Sequence, residues 1–334
     1  MQSDPRSIWV LTDGRAGNEA QALGLAEALA RRRPARIEVK RLAPKRWAAA
    51  LPARVWHGLG ARAGGWPFTG YQGAVAPPWP DLAIGAGRRI APLVAALRRL
   101  HGIGAVQVMD PRMPAAAFDL VVAPQHDRLT APNALATLGT IGRVTAQRVE
   151  EEAARWRRRL AHLPPRRTAC LIGGPSPSAF WREEDIDRLV AELAALSRAG
   201  FGLLITASRR SDPVVLAGLR ADCDPAATFL WDGSGENPYP GILGLAEAVL
   251  VTEDSVNMAS EAASTGLPLH VFRISGTAPK LRAFHAALAE RGIARDYGGT
   301  IEAWRYQPLA EADRVAAEVE KRLWMRVDSG GGLG

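Results

Sequence analysis

The sequence predicts an α/β protein made of two Rossmann-like parallel-sheet domains, and three observations predict it. Short apolar runs alternate with helix-like segments along nearly the whole chain, the pattern of successive βα units. The alternation restarts after Pro164-Pro165-Arg166, which reads as a linker. At 334 residues the chain exceeds one average domain.

In the first half, residues 7–12 form an apolar run and residues 18–32 an amphipathic helix. Between them lies Asp13-Gly14-Arg15-Ala16-Gly17-Asn18. Its glycines permit tight backbone geometry and close ligand approach. The spacing is neither a dinucleotide fingerprint nor a P-loop, so a plain βα turn stands beside a substrate-facing one. The cluster of Asp13, Arg15, Asn18 and Gln21 favours the second. Residues 36–41 read as the next strand. Residues 81–85 lead into Gly85-Ala86-Gly87-Arg88-Arg89, residues 105–109 into Asp110-Pro111-Arg112, and residues 119–123 into Pro124-Gln125-His126-Asp127. Several such polar strand ends in one domain mark the carboxyl edge of the sheet as a binding face. Arg15, Asn18, Gln21, Arg88 and Asp110 are its acceptor-side candidates. His126 is the first general-base candidate by residue type, with Asp13 and Asp127 close behind, and capping is an equal reading of each.

Residues 45–66 place Trp47, Trp56 and Trp66 among Arg46, Arg54 and Arg62. This suits a helix packing its tryptophans on the first domain, and it also suits an anionic membrane surface. Residues 145–163 form a charged helix that the pattern assigns to the first domain, giving a domain of residues 1–163.

The second half repeats the architecture without repeating residues. Residues 168–172 end in Gly173-Gly174-Pro175-Ser176, and residues 202–206 in Ala207-Ser208-Arg209-Arg210. Residues 248–273 are the most informative stretch. Two apolar runs flank a helix-like segment, with Glu253, Asp254 and Ser255 at the strand-to-helix turn and Gly266 and Pro268 after the helix. These parts suit a nucleoside diphosphate sugar. Backbone N–H groups of Gly173 and Gly174, with the Ser176 hydroxyl, are placed to meet phosphate. Ser208, Arg209 and Arg210 sit at a strand end where guanidinium groups clamp phosphate oxygens. Glu261 can accept both hydroxyls of a ribose, or be a solvated helix carboxylate. Asp254 and Ser255 are candidates for sugar or phosphate contact, and Ser255 is equally a natural N-cap.

Composition narrows the class. The net charge is +8, and all but four of the 42 basic residues are arginine. They are scattered through helices rather than gathered on one recognition element, which weighs against nucleic acid and leaves anionic small molecules and surfaces. No apolar run reaches the roughly 18 residues of a membrane span. The start, MQSDPRSIWVLTDG, lacks a signal-peptide pattern, and Cys170 and Cys223 have no motif spacing. A cytoplasmic protein is expected, with the inner face of a membrane as its alternative station. There is no HExxH and no Cys/His cluster, so neither a metal nor another cofactor is expected beside the nucleotide sugar. Asp222-Cys223-Asp224 reads as a turn before Pro225.

The motifs Asp13 to Asn18, Gln107-Val108-Met109-Asp110-Pro111-Arg112, His126-Asp127, Thr206-Ala207-Ser208-Arg209-Arg210, Asn237-Pro238-Tyr239 and residues 251–266 resemble the mitochondrial-fission Elm family, over about residues 7–310. Its bacterial members are regarded as glycosyltransferases, and its plant members are linked to recruiting a fission protein. The second half is similar, more distantly, to the donor domain of GT-B glycosyltransferases such as the lipid-linked peptidoglycan N-acetylglucosaminyltransferase. That resemblance implies two domains facing a cleft, a donor domain at residues 167–305, a crossover helix at 306–327 returning to the first domain, and a flexible tail at 328–334. It places Gly173-Gly174 on the phosphate-facing loop, Arg209 near a phosphate and Glu261 on the ribose. A glycosyltransferase with an unidentified acceptor, lipid-linked acceptors included, is the leading expectation. A non-catalytic adaptor and a nucleotide-sugar epimerase are the alternatives.

Overall fold

The computed structural model describes residues 5–45, 52, 55, 71–72 and 75–324. Trp47, Trp56 and Trp66, on which the membrane-surface reading rests, and the tail at 328–334 lie outside these residues. The chain divides into two compact units, Met1–Arg143 with Ala310–Gly334, and Val144–Leu309.

The first unit is built on a six-stranded sheet in the order β2-β1-β5-β6-β7-β8. The strands are β1 (Arg6–Thr12), β2 (Ala35–Arg41), β5 (Leu82–Ala86), β6 (Gly104–Val108), β7 (Leu120–Pro124) and β8 (Ala134–Thr137), all parallel. A separate antiparallel pair joins β3 (Ala43–Pro44) to β4 (Tyr71–Gln72). In β1 and β5 the apolar residues are buried on both faces, which explains why these strands read as unbroken runs rather than alternating ones. Helix α1 (Ala16–Arg32) buries Leu25 and Leu29 on one face of the sheet, and α2 (Ala91–His101) buries Leu93, Val94 and Leu97 on the other.

The second unit carries another six-stranded parallel sheet, in the order β12-β11-β9-β13-β14-β16. Its strands are β9 (Arg167–Ile172), β11 (Gly202–Ala207), β12 (Thr228–Trp231), β13 (Ala248–Thr252), β14 (Leu269–Phe272) and β16 (Ala294–Asp296). A two-stranded ribbon pairs β10 (Ala179–Phe180) with β15 (Gly276–Thr277). Its helices are α3 (Ala146–Arg157), α4 (Glu183–Arg198), α5 (Pro213–Asp222), α6 (Tyr239–Leu245), α7 (Val256–Ala263) and α8 (Pro279–Glu290).

Two boundaries differ from the sequence reading. Helix α3, expected in the first domain, belongs to the second unit. It buries Ala153 and Trp156 against α6, whose glycines admit the close approach. A Cβ on Gly241 would stand 2.6 Å from Trp156 Cδ1, and one on Gly244 2.6 Å from the Val149 carbonyl oxygen. The second crossing falls after Leu309, not after residue 305. Leu309 N–H donates to the Ala263 carbonyl at 3.0 Å, tying that crossing to the end of α7. Beyond it, α9 (Glu311–Val319) buries Val315, Ala316 and Val319 in the first unit's core beside Leu25 and Leu29. Arg31 meets Asp313 at 2.8 Å, and Glu320 receives Arg32 at 2.8 Å and Arg33 at 2.6 Å.

Candidate functional site

Each sheet has one topological switch point, where successive connections leave in opposite directions. It lies between β1 and β5 in the first unit and between β9 and β13 in the second. A crevice outside the carboxyl ends of the strands opens there, and ligands of open α/β sheets bind in it.

At the first switch point the turns after β1 and β5 meet. Asp13 is 2% exposed in its side chain, with Arg15 Nε 3.5 Å from Oδ2. Asn18 Nδ2 donates to Asp13 Oδ1 at 3.3 Å. Gly87, at φ +83°, lies against the same asparagine, and a Cβ there would stand 2.6 Å from Asn18 Nδ2. Gln21 is buried and donates to Met109 Sδ at 3.6 Å. Arg88 is exposed. Met109, Arg112 and Arg128 all have positive φ (69°, 57° and 53°), and all follow the carboxyl ends of β6 and β7. Non-glycine residues held in this region cluster at functional sites. Asp110 is occupied by its own turn, accepting from Arg112 N at 2.8 Å and lying 3.1 Å from Arg112 Nε. His126 and Asp127 lie on the same edge in a single 3-10 turn, with Nε2 and Oδ1 3.9 Å apart.

The second switch point is knitted by hydrogen bonds. Gly173 N–H donates to Thr252 Oγ1 at 2.8 Å, and Gly174 N–H to Asp254 Oδ2 at 2.8 Å. Thr252 also donates to Asp254 Oδ1 at 2.8 Å. The two glycine N–H groups expected to face phosphate are therefore committed to protein acceptors. Both positions require glycine, because a Cβ would stand 2.0 Å from Asp254 Oδ2 at Gly173 and 2.0 Å from the Arg210 carbonyl oxygen at Gly174. Asp254 is fully buried in its side chain, and burial raises its proton affinity against the opposing Gly174 and Thr252 hydrogen bonds. Arg210 reaches Asp254 Oδ2 at 3.4 Å and the Gly174 carbonyl at 3.0 Å, so it braces the loop from outside. Ser255 caps α7, accepting from Met258 N at 3.3 Å. Ser176 Oγ accepts from Ser178 N at 3.2 Å, and Ser208 Oγ from Arg210 N at 3.1 Å. Asp254, Arg210 and these serines thus build the edge. Arg209 is exposed upon it, as is Arg210.

Glu261 stands in the last turn of α7, half-buried. Burial pushes its carboxyl up to about 7, opposed by the nearby Tyr239 hydroxyl and the positive charge of Arg148. The Tyr239 oxygen is itself buried, outside strict hydrogen-bonding geometry with any partner. Burial and the adjacent carboxylate together raise its proton affinity strongly. Three further residues shape the two edges. Thr252 is invisible within an apolar run. Gln107, fully buried, donates to the Gly87 and Val108 carbonyls at 3.2 and 2.9 Å and ties two edge turns together. Glu253, taken as site-facing, instead accepts from Arg273 at 2.7 Å, Ile274 N at 3.0 Å and Thr277 Oγ1 at 2.9 Å, anchoring the segment after β14. Among the described residues, no group of three or more His, Cys, Asp and Glu side chains is placed to hold a metal ion. Among the same residues, no helix is long and apolar enough to cross a membrane.

The family model described as mitochondrial fission ELM1 matches residues 16–323. The chain belongs to the mitochondrial fission ELM1 family. This ELM1-family chain is 26% identical over 276 residues to the mitochondrial fission protein ELM1 of Arabidopsis thaliana, covering 74% of its own length and 65% of that protein, just under two thirds. It is 28% identical to the uncharacterized protein RP120 of Rickettsia prowazekii, covering 95% of this chain and 98% of that one. Among solved structures, UDP-GlcNAc 2-epimerase of Methanocaldococcus jannaschii, in complex with UDP-GlcNAc and UDP, superposes with a TM-score of 0.53 at 11% identity, covering 94% of this chain and 99% of that one. The Neisseria meningitidis enzyme bound to UDP-GlcNAc gives 0.50 at 12% identity, covering 95% and 100%. At such identities the likeness is one of fold. The ELM1-family chain has the GT-B-like fold of two Rossmann-like parallel-sheet domains.

Proposed function

We propose that this chain is a glycosyltransferase that takes a sugar from a nucleoside diphosphate sugar, without a metal, and passes it to an acceptor hydroxyl. The observation that carries the reading is Glu261, a half-buried carboxylate on the helix that starts at the second sheet's switch point. The UDP-GlcNAc and UDP bound to the structurally similar epimerases support a nucleotide sugar as the ligand class. Glu261 accepts the ribose hydroxyls, and the N-terminus of α7 and the exposed Arg209 favour the diphosphate. During transfer the bond from the anomeric carbon to the diphosphate oxygen breaks, and its electron pair leaves on that oxygen. The acceptor oxygen bonds to the anomeric carbon, and its proton passes to a general base. Asp13, His126 and Asp127 are the side chains whose type suits such a base, and Asn18 and Arg15 position the first of them. The buried free thiols Cys170 and Cys223 support a reducing, cytoplasmic setting.

Calorimetric titration with UDP, GDP and CMP, and with their sugars, tests binding. At least one titrates with the wild type and is weakened about tenfold or more by Glu261→Ala. If none binds, the reading fails. A second reading, epimerisation of the same ligand class, draws on the likeness to the UDP-GlcNAc 2-epimerases. Mass and NMR analysis of products separates the two, since isomerised sugar formed without an acceptor selects the epimerase.

A further inference from the structure

At the opposite edge of the first unit's sheet, where β1, β5 and β6 begin, lies a cavity of about 740 Å3. That volume falls within the roughly 300–1,000 Å3 of small-molecule sites. Part of its lining is apolar. Leu82, Ile103 and Trp324 are buried there, and Leu323 lies beside them. One wall is the Trp79 ring stacked on His101, with centroids 3.9 Å apart and planes at 19°.

The charged lining is unevenly committed. It consists of Arg6, Arg98 and Arg322 against Asp81 and Asp119. Asp81 accepts from Ser7 N at 2.7 Å and Ser7 Oγ at 2.9 Å through one oxygen, and its other oxygen lies 3.7 Å from Arg6. Asp119 accepts from Arg98 Nε at 2.8 Å through one oxygen and from Ala105 N at 2.8 Å through the other. All four carboxylate oxygens are therefore engaged by protein donors or cations. Two of the guanidinium groups, those of Arg98 and Arg322, keep donors in reserve. Arg98 uses Nε and Nη1, the latter weakly at 3.4 Å to the Ala116 carbonyl, and its Nη2 has no partner among the described residues. Arg322 spends only Nε, on Glu318. An apolar floor beside guanidinium donors with the opposing carboxylates occupied is a receptor for an anion with an apolar body.

We infer that this cavity is a second binding site, which takes a phosphomonoester attached to an apolar group. It is independent of the nucleotide-sugar reading, because all its lining belongs to the amino edge of the first unit. The same chemistry comes as a free ester or as a lipid headgroup, so two probes are used on the full chain. Phenyl phosphate is titrated calorimetrically, with phenol as the uncharged control. Phosphatidylcholine vesicles with and without phosphatidic acid are used in flotation.

The expected result is binding of phenyl phosphate, or flotation only with phosphatidic acid, and no heat with phenol. Arg322→Ala weakens binding about tenfold, the loss of one hydrogen bond to a charged group. Arg98→Lys, which keeps a cation for Asp119 but loses the fork, does the same with an unchanged melting temperature. Arg209→Ala, at the edge of the second unit, leaves the affinity as it was. Phenyl phosphate binding identifies a free ester as the ligand, and phosphatidic acid alone identifies a headgroup. Failure of both probes overturns the inference. So does binding that survives both cavity substitutions, or binding that falls with Arg209→Ala.

Discussion

Replacing Glu261 with glutamine should make the protein more stable at alkaline pH while weakening nucleotide binding. The carboxyl sits at about 7 in the folded chain against 4.5 for the ordinary group, and burial is the largest cause. A raised folded value means that the folded state holds a proton the unfolded chain has released. The favourable contribution is fully present below pH 4.5 and is lost as the pH climbs through about 7. At about 1.36 kcal/mol per unit, the ionised carboxylate costs the folded state about 3 kcal/mol above pH 7, and about 2 kcal/mol once solvent reaching a half-buried side chain is allowed for. Glutamine keeps the shape and carries no charge. Urea denaturation of wild type and Glu261→Gln at steps from pH 4.5 to 8.5 measures the difference. The two should coincide near pH 4.5 and diverge to about 2 kcal/mol in favour of the variant at pH 8.5. A pH-independent offset, or a wild type that is more stable at pH 8.5, would falsify the assignment of a strained carboxylate. A group that destabilises the fold and is nonetheless needed for ligand is the mark of a binding residue rather than a structural one.

Three further outcomes follow from the geometry. Gly87→Ala introduces a Cβ at φ +83° and 2.6 Å from Asn18 Nδ2, so thermal denaturation should show a loss of about 1–3 kcal/mol, with Asn18 displaced from Asp13. Asp254→Ala strips the acceptor from Gly174 N–H, which should lower stability by about 1–3 kcal/mol and speed amide exchange at Gly174; unchanged exchange would contradict the described bond. His285 is buried with its value pushed down to about 4, chiefly by burial, and its Nε2 donates to the Glu253 carbonyl at 2.8 Å. Its contribution is whole above pH 6.5 and is lost as the pH falls through about 4, by about 3 kcal/mol, so His285→Phe should flatten the acid limb of the stability curve. This runs opposite to Glu261 over the shared window, which is why each is read against its own variant.

The central strands of both sheets were legible because they are buried on both faces. Residues 7–12 and 248–252 show apolar continuity that needs no knowledge of neighbours. The polar strand ends were legible for the same local reason, since a turn at the end of a buried run stands out by composition. Partnership was not legible. Gly173 and Asp254 come together only because β13 lies beside β9, a fact of strand order. The same residues that suggested phosphate ligands proved to be bonded to one another. Helix α3 was assigned by its place in the chain, whereas Gly241 and Gly244, some 85–95 residues later by their numbers, decide where it packs. The strands β8 and β16 passed unnoticed because runs of three or four residues carry no periodicity.

Helix α7 has a consequence beyond ligand contact. The polypeptide passes between the two units at residues 143/144 and again at 309/310. Just inside the first passage, Arg148 exerts its charge on Glu261. Just before the second, Leu309 is bonded to Ala263, the last residue of the same helix. One short helix is thus linked to both end segments of this unit, by charge to Arg148 and by a hydrogen bond to Leu309. Whatever neutralises the Glu261 carboxylate removes the charge that Arg148 faces, while Leu309 stays bonded to the same helix. A mutational scan of Thr145, Arg148, Pro308 and Leu309 would therefore measure how far the two end segments of this unit tune the Glu261 carboxylate.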